Sequence, residues 1–325
     1  MPEPTNSRSS KSEEPILKSH KDKIAEIRVT PQLILYSILH TCGLEFWIVS
    51  MGPFFIGWCI SKESMILDWQ IFIGVAIVGP LIGGFTFLFN EYFDKKSDMY
   101  NIRKITSALI VGLMDLNTIR AASIILLMAG LVLSLLFSLT FFLLILAMVI
   151  LSILYSDPRT KLKGRGGMDL LVNILGLGVL CPLAGWSIYN PPLEFPPIYL
   201  FTIMMIIGGL YAPTTVADYD ADKIAGYRTL AIVLGKKQTI ILGFILLTLG
   251  CGTLILMGLF EIFPFKFEYL VWVWPALVLP PAIYAYSFRN IENLNFFWPL
   301  FLIFYIQGAG TFIFLLMFSF DWIPF

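Results

Sequence analysis

Seven stretches of this chain run for 20 residues or more without an Asp, Glu, Lys or Arg, and they limit what it can fold into more than any other feature. They are Trp69 to Asn90, Ala121 to Ser156, Leu170 to Leu193, Phe195 to Ala217, Gln238 to Phe260, Tyr269 to Phe288 and Asn293 to Phe320. A bilayer core takes about 20 residues per helix, and backbone polar groups inside it must be satisfied within the segment itself. The run from Ala121 is too long for one span and is expected to fold back near Ser134 to Thr140 as two. Gln32 to Ile60, interrupted only by Glu45, supplies one more. The expectation is an all-α integral membrane protein of nine transmembrane helices. Hydrophobic residues at 58% against 14% charged are too apolar for a soluble core of this length.

Twenty of the 22 Lys and Arg lie in the N-terminal tail or in the loops after every second helix, and only Lys62 and Lys266 fall on the other side. Basic residues stay cytoplasmic, so the N-terminus and the loops after helices 2, 4, 6 and 8 are expected there, in a multi-pass protein of the cell membrane. The net charge of zero hides this asymmetry and argues for no nucleic-acid partner. No obligatory protein partner is evident. Residues 1–30 mix both signs of charge and lack an apolar core, which reads as a disordered cytoplasmic tail preceding the membrane domain of residues 31–325. Cys42, Cys59, Cys181 and Cys251 all fall inside expected spans without metal-ligand spacing and read as packing residues.

Two acidic segments stand where apolar runs stop. Asn90, Asp94 and Asp98 recur every four residues, as do Asp218 and Asp222. At about 100° per residue that spacing returns side chains to one helix face, so each segment offers a stripe of hard oxygen ligands suited to Mg²⁺. Carboxylates so close repel one another unless a cation lies between them, and two facing stripes could clamp a diphosphate through Mg²⁺. A solvated helix end explains one such pair. Two pairs on one side, each interleaved with lysine, point to a site. Asp220 faces away from its neighbours on an ideal helix. Gly83-Gly84 before the first segment and Gly208-Gly209 before the second suggest a faint internal repeat.

The loop from Tyr155 carries Arg159, Lys161, Lys163 and Arg165 among glycines, before Asp169 and Asn173. These cations serve either as an anchor to the cytoplasmic face or as donors to a departing diphosphate. His40 and Glu45 are intramembrane polar residues whose spacing of five is poor for pairing on a helix.

These residues resemble the UbiA-type intramembrane prenyltransferases. The first signature of that family is seen in Asn90, Asp94 and Asp98, and the second in Asp218, Asp222, Lys223 and Gly226, continuing through Tyr227, Arg228, Thr229 and Leu230 to Gly235. Phe46-Trp47, Gly52-Pro53 and Tyr155 with Arg159 are similar too. The resemblance implies nine helices around a central cavity capped by cytoplasmic loops, and an Mg²⁺-bound polyprenyl diphosphate whose prenyl group passes to a lipophilic acceptor. Asn90, Asp94, Asp98, Asp218 and Asp222 would hold Mg²⁺. Asn90, Arg103, Lys104, Tyr155, Arg159, Lys163, Lys223 and Arg228 would hold the diphosphate, with Tyr155 also offering its ring to the allylic cation. The acceptor would be a quinone precursor, an isoprenoid glycerol lipid, a tetrapyrrole or a carotenoid. Two departures stand out. Ser107 occupies the place of the family's usual cation, for which Arg103 or Lys104 could substitute, and Glu91 stands where Asp is commoner. The alternative is a secondary transporter whose Asp pairs bind a coupling cation. It would place the acids at mid-membrane, not at the ends of apolar runs.

Overall fold

The computed structural model of the chain describes residues 30–98, 107–110, 112–290 and 297–320, and among them all regular structure is helical. A short α1 (Pro31–Thr41) leads into α2 (Leu44–Lys62). Next comes α3, built from Trp69–Ala76, a π-helical turn Ile77–Leu81 and Ile82–Asp98. Helices α4 (Leu116–Ser134) and α5 (Leu139–Ser156) follow. Helix α6 joins Met168–Asn173, a π-helical stretch Ile174–Leu180 and Cys181–Trp186. After α7 (Pro197–Ala217) come two short helices, α8 (Tyr219–Ala225) and α9 (Leu230–Leu234). Helices α10 (Lys236–Leu259), α11 (Phe267–Ser287) and α12 (Phe297–Phe320) complete the chain. Among the described residues nine of these, α2 to α7 and α10 to α12, are long and apolar enough to cross a membrane.

The long run from Ala121 divides where expected. Helix α4 ends at Ser134, and the Ser138 hydroxyl accepts the Phe141 N–H at 3.1 Å to cap α5. The first span is shorter than the sequence suggested. The run from Gln32 to Ile60 is broken at Gly43, which has φ +74° and separates α1 from α2. That left-handed conformation costs glycine nothing. The turn also overturns the helical argument about His40 and Glu45, since it brings His40 Nδ1 to 3.5 Å from Glu45 Oε1. Cys42 lies in this turn and not within a span.

Without a hydrophobic drive between helices in lipid, close backbone approach and dispersion hold the bundle. A Cβ on Gly57 of α2 would meet the Pro182 carbonyl oxygen of α6 at 2.0 Å, and one on Gly185 would meet the Phe54 oxygen at 2.0 Å. The two helices therefore touch backbone to backbone. Inside the membrane, Thr86 Oγ1 and Ser152 Oγ share a hydrogen bond of 2.8 Å between α3 and α5. At the end of the bundle remote from the acidic segments, Lys62 donates to Asp68 Oδ2 at 2.5 Å and Tyr189 donates to the same carboxylate. Asn190 reaches the Ser61 carbonyl at 2.9 Å, so the α2–α3 and α6–α7 connections are clasped together there.

Between α2, α7, α10, α11 and α12 lies a cavity of about 300 Å³ lined by residues such as Val49, Pro53, Ile203, Leu210, Val273 and Phe314. No Asp, Glu, Lys, Arg or His lines it; its polar side chains include Thr202, Gln307 and Thr311.

Candidate active site

The first acidic segment is helical throughout, so Asn90, Asp94 and Asp98 do share one face near the end of α3. Asp94 and Asp98 are buried. The second segment differs from the expected continuous stripe. Helix α7 stops at Ala217, Asp218 stands at the break with φ −91° and ψ 0°, and Asp222 lies one turn into α8. The Asp222 N–H still donates to the Asp218 carbonyl at 2.9 Å, so the four-residue spacing is kept across the break. Helix α8 packs on α3, bringing both acidic segments to one end of the bundle.

Lys163 joins them. Its side chain is buried; the ammonium donates to Asn90 Oδ1 at 2.5 Å and pairs directly with Asp94 Oδ2. Burial pushes its pKa down to about 7, against the pull of the Asp222 and Glu91 carboxylates, which raise it. Burial likewise pushes Asp222 up to about 7, and the neighbouring Asp218 carboxylate adds to the shift. Asn90 Oδ1 also accepts from Ser156 at 3.1 Å.

Tyr227, just beyond the second segment, completes the link. Its hydroxyl donates to Asp94 Oδ1 at 3.2 Å, and its ring lies 4.5 Å beneath the Lys161 ammonium. Thr229 donates to Asp222 Oδ2 at 3.0 Å. The loop before α6 holds this strand of chain in place. The Arg228 N–H donates to the Gly164 carbonyl at 3.0 Å, and the buried Asp169 carboxylate accepts the Leu230 N–H at 3.0 Å, capping α9. Asp169 thereby fixes the stretch that carries Thr229 against Asp222.

The other expected residues are placed as follows. Tyr155 is half-buried, its hydroxyl 3.1 Å from that of Tyr211, with the Lys163 ammonium 6.0 Å from its ring. It is not among the side chains lining the apolar cavity. Arg159, Lys223 and Arg228 expose their side chains around the same cap. Asp220 is 83% exposed and pairs with Lys236 at 3.4 Å, away from its acidic neighbours. Arg103 and Lys104 lie outside the described residues.

Among the described residues no three carboxylate, imidazole or thiolate side chains already converge as a metal-ligand set. The donors are nonetheless all hard oxygens, and a buried ammonium rests on two of them, where a cation is needed to relieve the carboxylates. This donor chemistry fits Mg²⁺.

The model of the UbiA prenyltransferase family matches residues 50–305. The chain belongs to that family. Solved structures agree on the fold. A UbiA homologue from Archaeoglobus fulgidus bound to GPP and Mg²⁺ superposes with a TM-score of 0.71 at 20% identity, covering 88% of this chain and 98% of that one. A structure of digeranylgeranylglyceryl phosphate synthase gives 0.60 at 21% identity over 88% and 98%. A UbiA homologue from Aeropyrum pernix K1 gives 0.66 at 16% identity over 83% and 98%. No curated protein matches the chain. In this UbiA-family member, the hydroxyl at Ser107 donates to the buried Glu91, so a neutral donor and a longer acid meet where a cation was expected.

Proposed function

We propose that the protein transfers a polyprenyl group from a polyprenyl diphosphate to a lipophilic acceptor within the membrane, with Mg²⁺, at the cap formed by the ends of α3 and α8. The observation that carries this reading is the hydrogen bond from Tyr227, just beyond the second acidic segment, to Asp94 of the first, with Lys163 buried on Asn90 and Asp94, at the end of a bundle whose interior holds an uncharged cavity. Leu210, at the upper rim of that cavity, is eight residues before Asp218, about 12 Å along α7. A diphosphate held by the acids therefore lies above a space that takes hydrocarbon.

Asn90, Asp94, Asp98, Asp218 and Asp222 are the residues that would hold the metal. Mg²⁺ supplies neutralisation of the charge growing on the leaving diphosphate as the allylic C–O bond breaks. Displaced from Asp94, the Lys163 ammonium is placed to turn its donors onto the diphosphate oxygens, and Arg159, Lys223 and Arg228 surround it from the exposed side. The electron pair of the broken bond leaves with the diphosphate. The faces of Tyr155 and Tyr227 stand beside Lys163 and attract the allylic cation left behind. The cavity's mostly apolar lining disfavours water that would quench it. The acceptor's electron pair then forms the new carbon bond, and the acceptor gives up a proton.

The positive-inside bias supports a cap facing the cytoplasm. The acids lie at helix ends and not at mid-membrane, which favours transfer chemistry over cation-coupled transport. The test is incubation of the purified protein with labelled geranylgeranyl diphosphate, Mg²⁺ and host lipid extract, followed by mass identification of the prenylated product. A product that forms with Mg²⁺ and disappears with a chelator is the expected result. Absence of any labelled lipid under both conditions would refute the reading.

A further inference from the structure

A second cavity, of about 390 Å³, lies between α3, α4 and α5 on the far side of α3 from the acids. Its wall is the aromatic ladder Phe85, Phe89, Tyr92 and Phe93, and Arg120 and Ser123 of α4 stand opposite with aliphatic residues of α4 and α5. Phe85 precedes Asp94 by nine residues and Phe89 precedes Asp98 by nine, which places these rings about 180° around the helix from the carboxylates. The cleft is therefore separate from the active site although it shares a helix with it.

The aromatic wall is already assembled. Phe85 and Phe89 have ring centroids 5.3 Å apart, Phe89 and Phe93 4.9 Å, and Tyr92 and Phe93 5.0 Å, the last two pairs edge to face. Arg120 lies in the second turn of α4, at the same end of the bundle as Asp94, where lipid headgroups meet the protein. Among the described residues no carboxylate pairs with its guanidinium, and no hydrogen bond engages the hydroxyl of Tyr92, which lines the same cavity. An unpaired guanidinium over a preformed apolar cleft at headgroup level has the chemistry of a phosphate-headed lipid: a fork for the phosphate and a ring-lined slot for the chain. From Arg120 to Leu127 the cleft follows α4 for seven residues, about 10 Å, enough for the upper part of one acyl chain.

We propose that this cleft binds an anionic phospholipid of the surrounding bilayer, its phosphate on Arg120 and the Tyr92 hydroxyl and its chain against Phe85 and Phe89. The lipid braces α3 from the face opposite its acidic stripe. The site depends on neither the metal nor the prenyl-transfer reading.

Thermal unfolding and native mass spectrometry of the full-length protein in detergent test it, with dioleoyl phosphatidylglycerol, dioleoyl phosphatidylcholine and inorganic phosphate as probes. Phosphatidylglycerol at about ten times its Kd raises Tm by about 3 °C. Phosphatidylcholine binds at least about tenfold more weakly, and free phosphate produces no shift, because it leaves the aromatic slot empty. Arg120→Gln abolishes the preference for the anionic lipid. Ser123→Phe fills the slot and removes binding of either lipid. Arg289→Gln, which removes a cation elsewhere, leaves the preference intact. An equal response of Arg120→Gln and wild type to phosphatidylglycerol would overturn the proposal, as would equal binding of the two lipids, a shift with phosphate alone, or loss of the preference in Arg289→Gln. Because Arg120 is exposed and has no ion-pair partner among the described residues, Arg120→Gln is expected to fold as wild type does. Should it not, competition between the two lipids for the wild-type protein decides the matter.

Discussion

Replacing Lys163 with methionine separates its pairing with Asp94 from its proposed role as a donor to the diphosphate. Methionine keeps the length and most of the volume of the side chain and removes the charge. The Lys163 and Asp94 side chains retain only 9% and 6% of their exposure, so their pair behaves as a buried ion pair and not as a surface one. Removing one partner of such a pair costs about 3–5 kcal/mol, because the other charge is left buried without compensation. Tyr227 still donates to Asp94, which keeps the cost toward the lower end. At about 2 °C per kcal/mol for a chain of this size, metal-free Lys163→Met should unfold about 6–8 °C below wild type. Mg²⁺ with inorganic diphosphate supplies Asp94 with a different cation, so in that buffer the deficit should shrink to less than about half. The assay is thermal unfolding in detergent at pH 6.5, below the value to which burial lowers Lys163, with EDTA and with Mg²⁺ and diphosphate. An equal deficit in both buffers would show that Lys163 is simply a packing and pairing residue, and that metal does not reach Asp94. No deficit in either would show that the pair is not formed.

Asp222→Ala should lower prenyl transfer by about 100-fold or more, the loss expected on removing one transition-state charge stabiliser. Metal-free Tm should hold or rise, since burial and Asp218 already disfavour this charge; a large fall in Tm would return Asp222 to a structural role. Gly57→Ala places a methyl 2.0 Å from the Pro182 carbonyl oxygen, so α2 and α6 must separate at a cost of about 1–3 kcal/mol, visible as a lowered Tm with diphosphate affinity unchanged. Asp169→Ala should raise KM for the diphosphate and weaken its binding, whereas Asp169→Asn, which keeps an acceptor for the Leu230 N–H, should recover most of both. Reporter fusions should find the N-terminus cytoplasmic and the C-terminus external; a C-terminal reporter active only in the cytoplasm would contradict nine spans.

The membrane fold is legible in the sequence because lipid leaves the backbone so few choices. An uncharged run long enough to span has to be helical, and Ser138 marks where the longest run reverses because a side-chain oxygen can cap the new helix. The break at Gly43 is harder to see. Glycine is common in membrane helices, and only the backbone angle at that residue distinguishes a turn from a packing contact. The His40–Glu45 pair was hidden for the same reason, since helical spacing argues against a contact that a turn creates.

At the site, spacing along one helix reveals candidate ligands, but contacts between segments far apart in the chain leave no local pattern. Asn90, Asp94 and Asp98 announce themselves by their period of four. Nothing local distinguishes Lys163 from Arg159, Lys161 and Arg165, because which of four loop cations is buried depends on where α3 and α8 end in space. Tyr227 meets Asp94 across more than a hundred residues, and Asp169 reaches Leu230 across sixty. The same physics explains Ser107. Read alone, it is a lost cation; in the fold its hydroxyl satisfies the buried Glu91, and the positive charge is supplied instead by Lys163, which Glu91 helps to keep protonated. Charge balance in a buried site belongs to the assembled cap and not to any one position. A substitution that strengthens the charge at 107, such as Ser107→Arg, should therefore draw Glu91 away from Lys163 and lower the pKa of that lysine further. Titration of Lys163 by NMR in the variant would show the shift, and an unchanged value would break the link between the two residues.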